Sequence, residues 1–526
     1  MSQTSDPPDR PVCAAAGPGS ERRSSRRRRL LSCLSSLLVV ALLLNSSGCA
    51  RNPVSGRPEA VLTSEKAEID QGNEAARQVE LEIGLVEDPA LQAYLAQLGQ
   101  RLAKHSPRSR ILYHFQVANM PEANAFALPG GHIYVSRGLL ALVNSEDELA
   151  AILGHEIGHV AARHSVRRQA ASAPLAPLRI AAALGGAAAS IVSPGLGQIV
   201  AGIGQLPGAF ALAAYSRDQE READRLGQQL AAEAGFDPVA LSHFTHTIAR
   251  EEALDGRSAG SRSFLVSHPP SPERSVAAEA YARELKVAVH RPAPLDREVF
   301  LRHFDGIVLG QPALEGVFVD ERFLHPELGV GFALPLNWQT LNARDSVSAQ
   351  NPEGTAHLVV EIVGEGQTAL EAAQEFGGQV RLDARPRSAQ IHGLEAAHAS
   401  AVIRSRPENN QLILTWVTHD NLVYRIVGIA PISKMTDFRS AFTSTAQSFH
   451  ALSPAERAEI FENRLRLVQA AKGETLETLG KRSGNQWSVP RTALANGFEE
   501  NAPLLPGGWV KTARLEPYSE PIRASP

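Results

Sequence analysis

Two histidines one helical turn apart, with a glutamate beside the first, constrain this chain more than any other feature: His155-Glu156-Ile157-Gly158-His159. On a helix the two imidazoles lie about 40° apart on one face, close enough for both to hold one divalent metal ion. Glu156 adjoins them and can take a proton from a water that the metal activates. The stretch 145–168 carries the helix signals. Ser145 followed by Glu148 reads as a capping box, and Leu149, Ala150, Ala151, Ile152 and Leu153 supply an apolar run. A chain built on this helix must bring a third ligand to the same face from elsewhere.

The cysteines narrow the choice. All three, Cys13, Cys33 and Cys49, lie at the N-terminus, so the folded part has no disulfide, no cysteine ligand and no cysteine nucleophile. The third ligand must then be His, Asp or Glu. Residues 216–224 supply candidates: Glu220 and Asp224 share a helical face, so one can bind metal while the other orients a ligand histidine. Glu222 lies about 200° round from Glu220 and is the weaker candidate. His164 falls about 180° round from His155 on a continued helix, which points it away from the metal as a structural or surface histidine. A metzincin would need histidine where Ser165 stands.

The N-terminus reads as an address. Arg22, Arg23 and Arg26 to Arg29 precede a mostly apolar run over 30–44, then Ser46-Ser47-Gly48-Cys49. The run is short for a membrane span and suits a signal peptide. The small residues before Cys49 resemble a bacterial lipobox, predicting cleavage after residue 48 and lipidation of Cys49; the alternative is an uncleaved anchor. Formal charge is −4 with seven of the arginines in this removable segment, and no basic patch points to nucleic acid.

Beyond the address, composition and periodicity predict an α+β chain. Residues 63–104 read as helix, broken at Asp88-Pro89. Strands are predicted over 111–118 and 124–128, then the turn Pro129-Gly130-Gly131 and a strand from His132. A strand just before the motif helix matters, since an edge strand beside a metal can pair with an extended peptide. Residues 180–215 are uncharged and rich in small and apolar side chains. They suit either a membrane-inserted hairpin or, favoured because Pro194 and Pro207 interrupt them, a cover over the cleft. Residues 320–452 read as a small α+β domain after a linker over 291–319. Strands are expected at 331–336 and 357–363, a hairpin at 411–418 and 422–429, and a closing helix presents Phe438, Phe442 and Phe449. A strand–helix–helix–strand module occupies 463–516.

Four motifs occur in order: Asn124-Ala125-Phe126-Ala127-Leu128-Pro129-Gly130-Gly131, the His155–His159 motif, Glu220-Arg221-Glu222-Ala223-Asp224, and Ser267-His268-Pro269. Together they resemble the CAAX-prenyl-protease/HtpX family of gluzincin metallopeptidases. The lipobox-like start, Asn52-Pro53-Val54-Ser55-Gly56 and Arg274 are most similar to its periplasmic BepA/YfgC and LoiP branch. The resemblance covers 49–290 and implies a mainly helical zincin-type domain with a small edge sheet, and one zinc ion held by His155, His159 and Glu220. It further implies Asp224 as support for a ligand histidine, Glu156 as catalytic base, and His268 near the metal, stabilising the transition state or capping zinc in a latent form. Substrate would meet Asn124, Ala125, Phe126 and Arg274. The activity implied is endopeptidase action on misfolded or stalled envelope polypeptides in the periplasm, on a lipid anchor that favours the outer membrane. The alternative is a latent protease acting as a chaperone-like factor beside the outer-membrane assembly machinery. The helical repeats of that branch are absent after residue 292. Residues 320–452 instead resemble a PsbP-like sandwich, read as a scaffold. Residues 463–516 resemble a LysM module, which implies peptidoglycan as a partner, with a plain packing module as the alternative.

Overall fold

The computed structural model describes residues 49–56, 58–60, 63–172, 214–255, 264–269, 272–285, 295–404 and 408–519. The signal segment and nearly all of the 180–215 stretch lie outside the described residues. Among the described residues, no helix is long and apolar enough to cross a membrane. The chain forms two units. In the smaller, strand Cys49–Arg51 pairs antiparallel with Pro58–Ala60. The larger holds everything else described below.

Helix Glu65–Glu82 starts on Ser64, whose side chain accepts from Ala67 N–H, and stops before Gly84 at φ 79°. The second helix, Pro89–Ala103, starts where Asp88 accepts from Ala90 and Leu91 N–H, with proline in the first turn, where its missing N–H goes unmissed. Leu91, Leu95, Leu98 and Leu102 bury its inner face. In the three-stranded sheet His132–Ser136 is central, parallel to His114–Ala118 and antiparallel to Ala125–Ala127. The first of these strands begins at His114 rather than 111 because Ile111 N–H closes a turn onto Arg108 O. The turn at Gly130 and Gly131 runs at φ 77° and 108°, and a side chain on Gly131 would meet Leu112 O at 2.6 Å.

The stretch expected as a linker is structured over its described part. Helix Arg297–Arg302 and strand Val308–Leu309 fall there, and Phe300, Leu301 and Phe304 are buried in the core that includes Leu153 and Ile157 of the motif helix. Leu465 and Ala495 belong to that core too. The C-terminal module therefore shares apolar burial with the first domain. It has the expected order: strand Phe461–Gln469, helices Leu476–Ser483 and Val489–Asn496, strand Trp509–Pro517, with the two strands paired antiparallel. Its Lys511 is fully buried and donates from Nζ to Ala141 O at 2.9 Å and Val143 O at 2.8 Å. Arg297 donates to Trp509 O at 2.7 Å and to Asn144 Oδ1 at 3.1 Å.

Between them in sequence comes a seven-stranded antiparallel sheet. Strands Asn410–His419 and Leu422–Pro431 form the expected hairpin, with Asp420 and Asn421 both at positive φ in a two-residue turn. Alternation sorts the faces: Tyr424 and Ile426 pack with Phe442 of helix Met435–Ser448, Val423 and Val427 with Phe376 of helix Ala369–Gln379. Phe449 lies past the closing helix in extended backbone and is still fully buried. The strand expected at 331–336 runs Val330–Ala333 and belongs to a separate four-stranded sheet. Within the large sheet, Arg425 donates to Glu361 Oε1 at 2.8 Å, and both side chains are almost wholly buried. Glu361→Ala is expected to destabilise the protein by about 3 kcal/mol in urea unfolding, because it strands a buried guanidinium. A loss well below 1 kcal/mol would show that water reaches Arg425.

Candidate metal centre

The motif helix runs Glu146–Ala161 and is capped by Ser145, whose hydroxyl accepts from Glu148 N–H at 3.1 Å. The Glu148 carboxylate reaches one residue further back than a standard capping box, to Asn144 N–H at 2.7 Å. From Leu149 to Ala161 every residue is buried. The second element is helix Arg217–Glu233, started by a capping box between Ser216 and Gln219. Where the helices cross, glycine faces glycine. A side chain on Gly154 would meet Gly227 O at 2.7 Å, and one on Gly227 would meet His155 N at 2.6 Å. Gly158 sits over Ala223, where a side chain would stand 3.0 Å from Cα and O. This close approach brings Glu220 to the histidines.

Four side chains from three segments converge. Ligand atoms of His155, His159, Glu220 and His268 lie within 4.8 Å of one another, all buried. The Nε2 atoms of His155 and His159 are 3.0 Å apart, and Glu220 Oε1 is 3.4 Å from His159 Nε2 and 3.0 Å from His268 Nδ1. Lone pairs and a carboxylate crowded together out of water repel unless a cation lies among them, and two imidazoles with one carboxylate are a zinc donor set. The residues fit that metal.

Aromatic rings frame the ligands. Tyr215 stacks on His159 with ring centroids 3.9 Å apart, and Phe264 stacks on His268 at 4.4 Å. His268 follows the short helix Phe264–Ser267, with its N–H on Phe264 O. That segment is tied to the small sheet through Phe264 N–H and Ala123 O at 3.0 Å.

Glu156 is wholly buried, and neither carboxylate oxygen has a hydrogen-bond partner among the described residues. His268 Nε2 lies 3.5 Å from Oε1. Burial pushes the Glu156 pKa above the usual carboxylate range, against the opposing pull of His268 and His155. For Glu220 burial acts the same way but is outweighed by His268, His159 and His155, which hold it well below that range. The two acids are thus separated in character, one suited to carry a proton and the other to remain an anionic ligand.

Asp224 Oδ1 lies 2.9 Å from His155 Nδ1. Arg274 brackets Asp224 from behind with Nε and Nη2, both at 2.8 Å, and its Nη1 lies 2.6 Å from Glu220 Oε2. The guanidinium, expected to meet substrate, is here engaged with two acids of the site. Asn124, Ala125 and Phe126 stand at one edge of the small sheet, and all three side chains are buried; Phe126 stacks on Tyr134 at 5.0 Å. Cys49 belongs to the smaller unit.

Three residues escaped the sequence reading. His164 is not on the metal, but neither is it a surface residue: it is fully buried, with Nδ1 2.8 Å from His159 Nδ1. The motif helix ends at Ala161 and Arg163 turns left-handed at φ 56°, so counting 100° per residue past that point fails. Glu222, set aside as a ligand, accepts from His164 Nε2 at 3.0 Å. Tyr215 had no signal beyond its place at the end of an apolar run.

A motif helix with two imidazoles and a buried acid, crossed by a helix bearing a third ligand, defines a zincin-type metallopeptidase site. Residues 89–282 match Peptidase family M48. The chain is 32% identical over 236 residues to the beta-barrel assembly-enhancing protease of Yersinia pestis, covering 44% of this chain and 48% of that protein. It is 30% identical over 218 residues to metalloprotease YcaL of Escherichia coli strain K12, covering 41% of this chain and 76% of that protein. It is also 31% identical over 194 residues to mitochondrial metalloendopeptidase OMA1 of Schizosaccharomyces pombe, covering 37% and 54%. The chain belongs to peptidase family M48. It spans about half the length of the beta-barrel assembly-enhancing proteases it matches. Among solved structures, cyanobacterial PsbP from Synechocystis aligns over 27% of this chain at 16% identity, with a TM-score of 0.22, too low to assign a fold.

Proposed function

We propose that this chain is a zinc-dependent endopeptidase of the bacterial cell envelope that hydrolyses peptide bonds in unfolded or stalled envelope polypeptides. The observation that carries the reading is the buried Glu156 carboxylate, without a hydrogen bond among the described residues, beside a converging donor set. A zinc ion held by His155, His159 and Glu220 would supply Lewis-acid polarisation of the scissile carbonyl and acidify a water. Glu156, with its raised pKa, takes that water's proton and hands it to the leaving amine. Asp224 and Arg274 fix the His155 ring and the Glu220 carboxylate. The edge strand Ala125–Ala127 aligns substrate backbone, and His268 or Arg274 steadies the developing oxyanion once His268 swings from its contact with Glu156. The envelope assignment rests on the lipobox-like run before Cys49 and on relatives named for beta-barrel assembly. Lipid on Cys49 would hold the enzyme at a membrane, the outer one favoured, and residues 463–516 would grip peptidoglycan.

A second reading has its own observation. His268 stands among the ligand atoms and against Glu156 at once, an arrangement that closes the site. It suits a latent protease that serves as a chaperone-like assembly factor until His268 is displaced. Incubating the zinc-loaded chain with an outer-membrane protein, urea-unfolded or folded into detergent, tests both. The protease reading expects chelator-sensitive fragments from the unfolded form and few from the folded one. Suppressed aggregation without fragments would favour the latent reading instead.

A further inference from the structure

We infer that His164 and Glu222 are positioning residues for the metal ligand His159, forming a carboxylate–histidine–histidine chain that fixes the tautomer and orientation of its ring. This rests on the reading of the site as a zinc centre. The two ligand histidines are supported differently. His155 has a carboxylate directly at Nδ1, Asp224 at 2.9 Å. His159 has an imidazole there, His164 Nδ1 at 2.8 Å, and the carboxylate comes one step later, Glu222 Oε2 at 3.0 Å from His164 Nε2.

Hydrogen assignment admits one pattern. With His159 Nε2 turned to the other ligands, the ring hydrogen of a neutral, metal-binding imidazole sits on Nδ1. His164 Nδ1 must then accept it, which leaves the His164 hydrogen on Nε2, pointing at an acceptor-only carboxylate. The other His164 tautomer would set N–H against N–H at 2.8 Å and leave Glu222 without this donor. The chain continues outward: Asn52 Nδ2 donates to Glu222 Oε1 at 3.0 Å and Arg167 Nη1 to Oε2 at 3.4 Å. Asn52 is itself held in a tight turn, its Oδ1 accepting from Val54 and Ser55 N–H. That gives the Asn52-Pro53-Val54 stretch a structural link to the metal site.

The backbone is bent to make this contact. Arg163 occupies a left-handed conformation that non-glycine residues disfavour. It is held there by Glu68 at 2.7 Å from Nε and by Thr63 O at 2.8 Å from Nη2. A continued helix would have carried His164 away; the bend returns it to His159.

The test is zinc affinity of the full chain by chelator competition, with the visible spectrum of the cobalt-substituted protein as a second readout. His164→Leu is expected to raise the zinc dissociation constant by roughly 10- to 100-fold and to alter the cobalt spectrum. His164→Gln, whose amide can accept from His159 and donate to Glu222, should recover most of the affinity. Should the leucine variant fold poorly, Glu222→Ala decides the matter from the partly exposed end of the chain, with an expected weakening of roughly threefold to tenfold. If the variants lose thermal stability while zinc affinity and cobalt spectrum stay at wild-type values, His164 is a packing residue and the inference falls. A wild-type chain that binds no zinc would overturn the zinc reading and this inference together. Wild-type binding matched by His164→Leu overturns the inference alone.

Discussion

Glu156→Gln is expected to slow peptide-bond hydrolysis by roughly a thousandfold while zinc content stays at the wild-type level. The substitution keeps the shape of the side chain and removes its ability to take up a proton. None of the four converging ligands is altered, and Glu156 offers no hydrogen bond that glutamine would break. A buried carboxylate without a hydrogen bond is also a burden on the fold, so the neutral amide should leave the metal-free protein at least as resistant to heat. Cleavage of a fluorogenic peptide, measured beside metal content by mass spectrometry, checks both halves. A variant that keeps more than about a tenth of the wild-type rate would remove Glu156 from the role of base.

Gly227→Val should abolish zinc binding and destabilise the protein by about 3 kcal/mol or more. No ligand is touched. A Cβ at 227 would stand 2.6 Å from His155 N and 2.8 Å from Gly154 C, backbone atoms inside a fully buried helix that has no flexible end to yield. The helices must part, and Glu220, two turns before Gly227 on the same helix, leaves the histidines as they do. Chemical unfolding and chelator competition measure the two effects. Full zinc affinity in a folded valine variant would mean the crossing is looser than these distances, and the glycines would lose their place in the argument.

These two positions mark what could and could not be read beforehand. The motif helix, its cap and the acidic second helix were legible because each rests on local chemistry: hydroxyl caps, i to i+4 spacing, donor types a metal requires. So were the helix break at Asp88-Pro89, the Asp420-Asn421 hairpin and the strand–helix–helix–strand order at the end. Small residues four apart were equally visible, Gly154 with Gly158 and Ala223 with Gly227, but which helices they join is a tertiary fact that spacing does not encode. His164 failed for a different reason. Angular counting assumes an unbroken helix, and the chain leaves it before His164, at a bend stabilised by Glu68, 95 residues upstream. The supposed linker failed similarly: Phe300 and Phe304 are buried in a core they share with Leu465, over a hundred residues downstream, which no local window contains.

The buried amino group of Lys511 gives the C-terminal module a mechanical consequence. Its two acceptors, Ala141 O and Val143 O, lie just before Ser145, the residue that caps the motif helix, and Arg297 ties Trp509 to Asn144 beside them. A pull on strand Trp509–Pro517 would therefore reach the start of the helix that carries His155, Glu156 and His159.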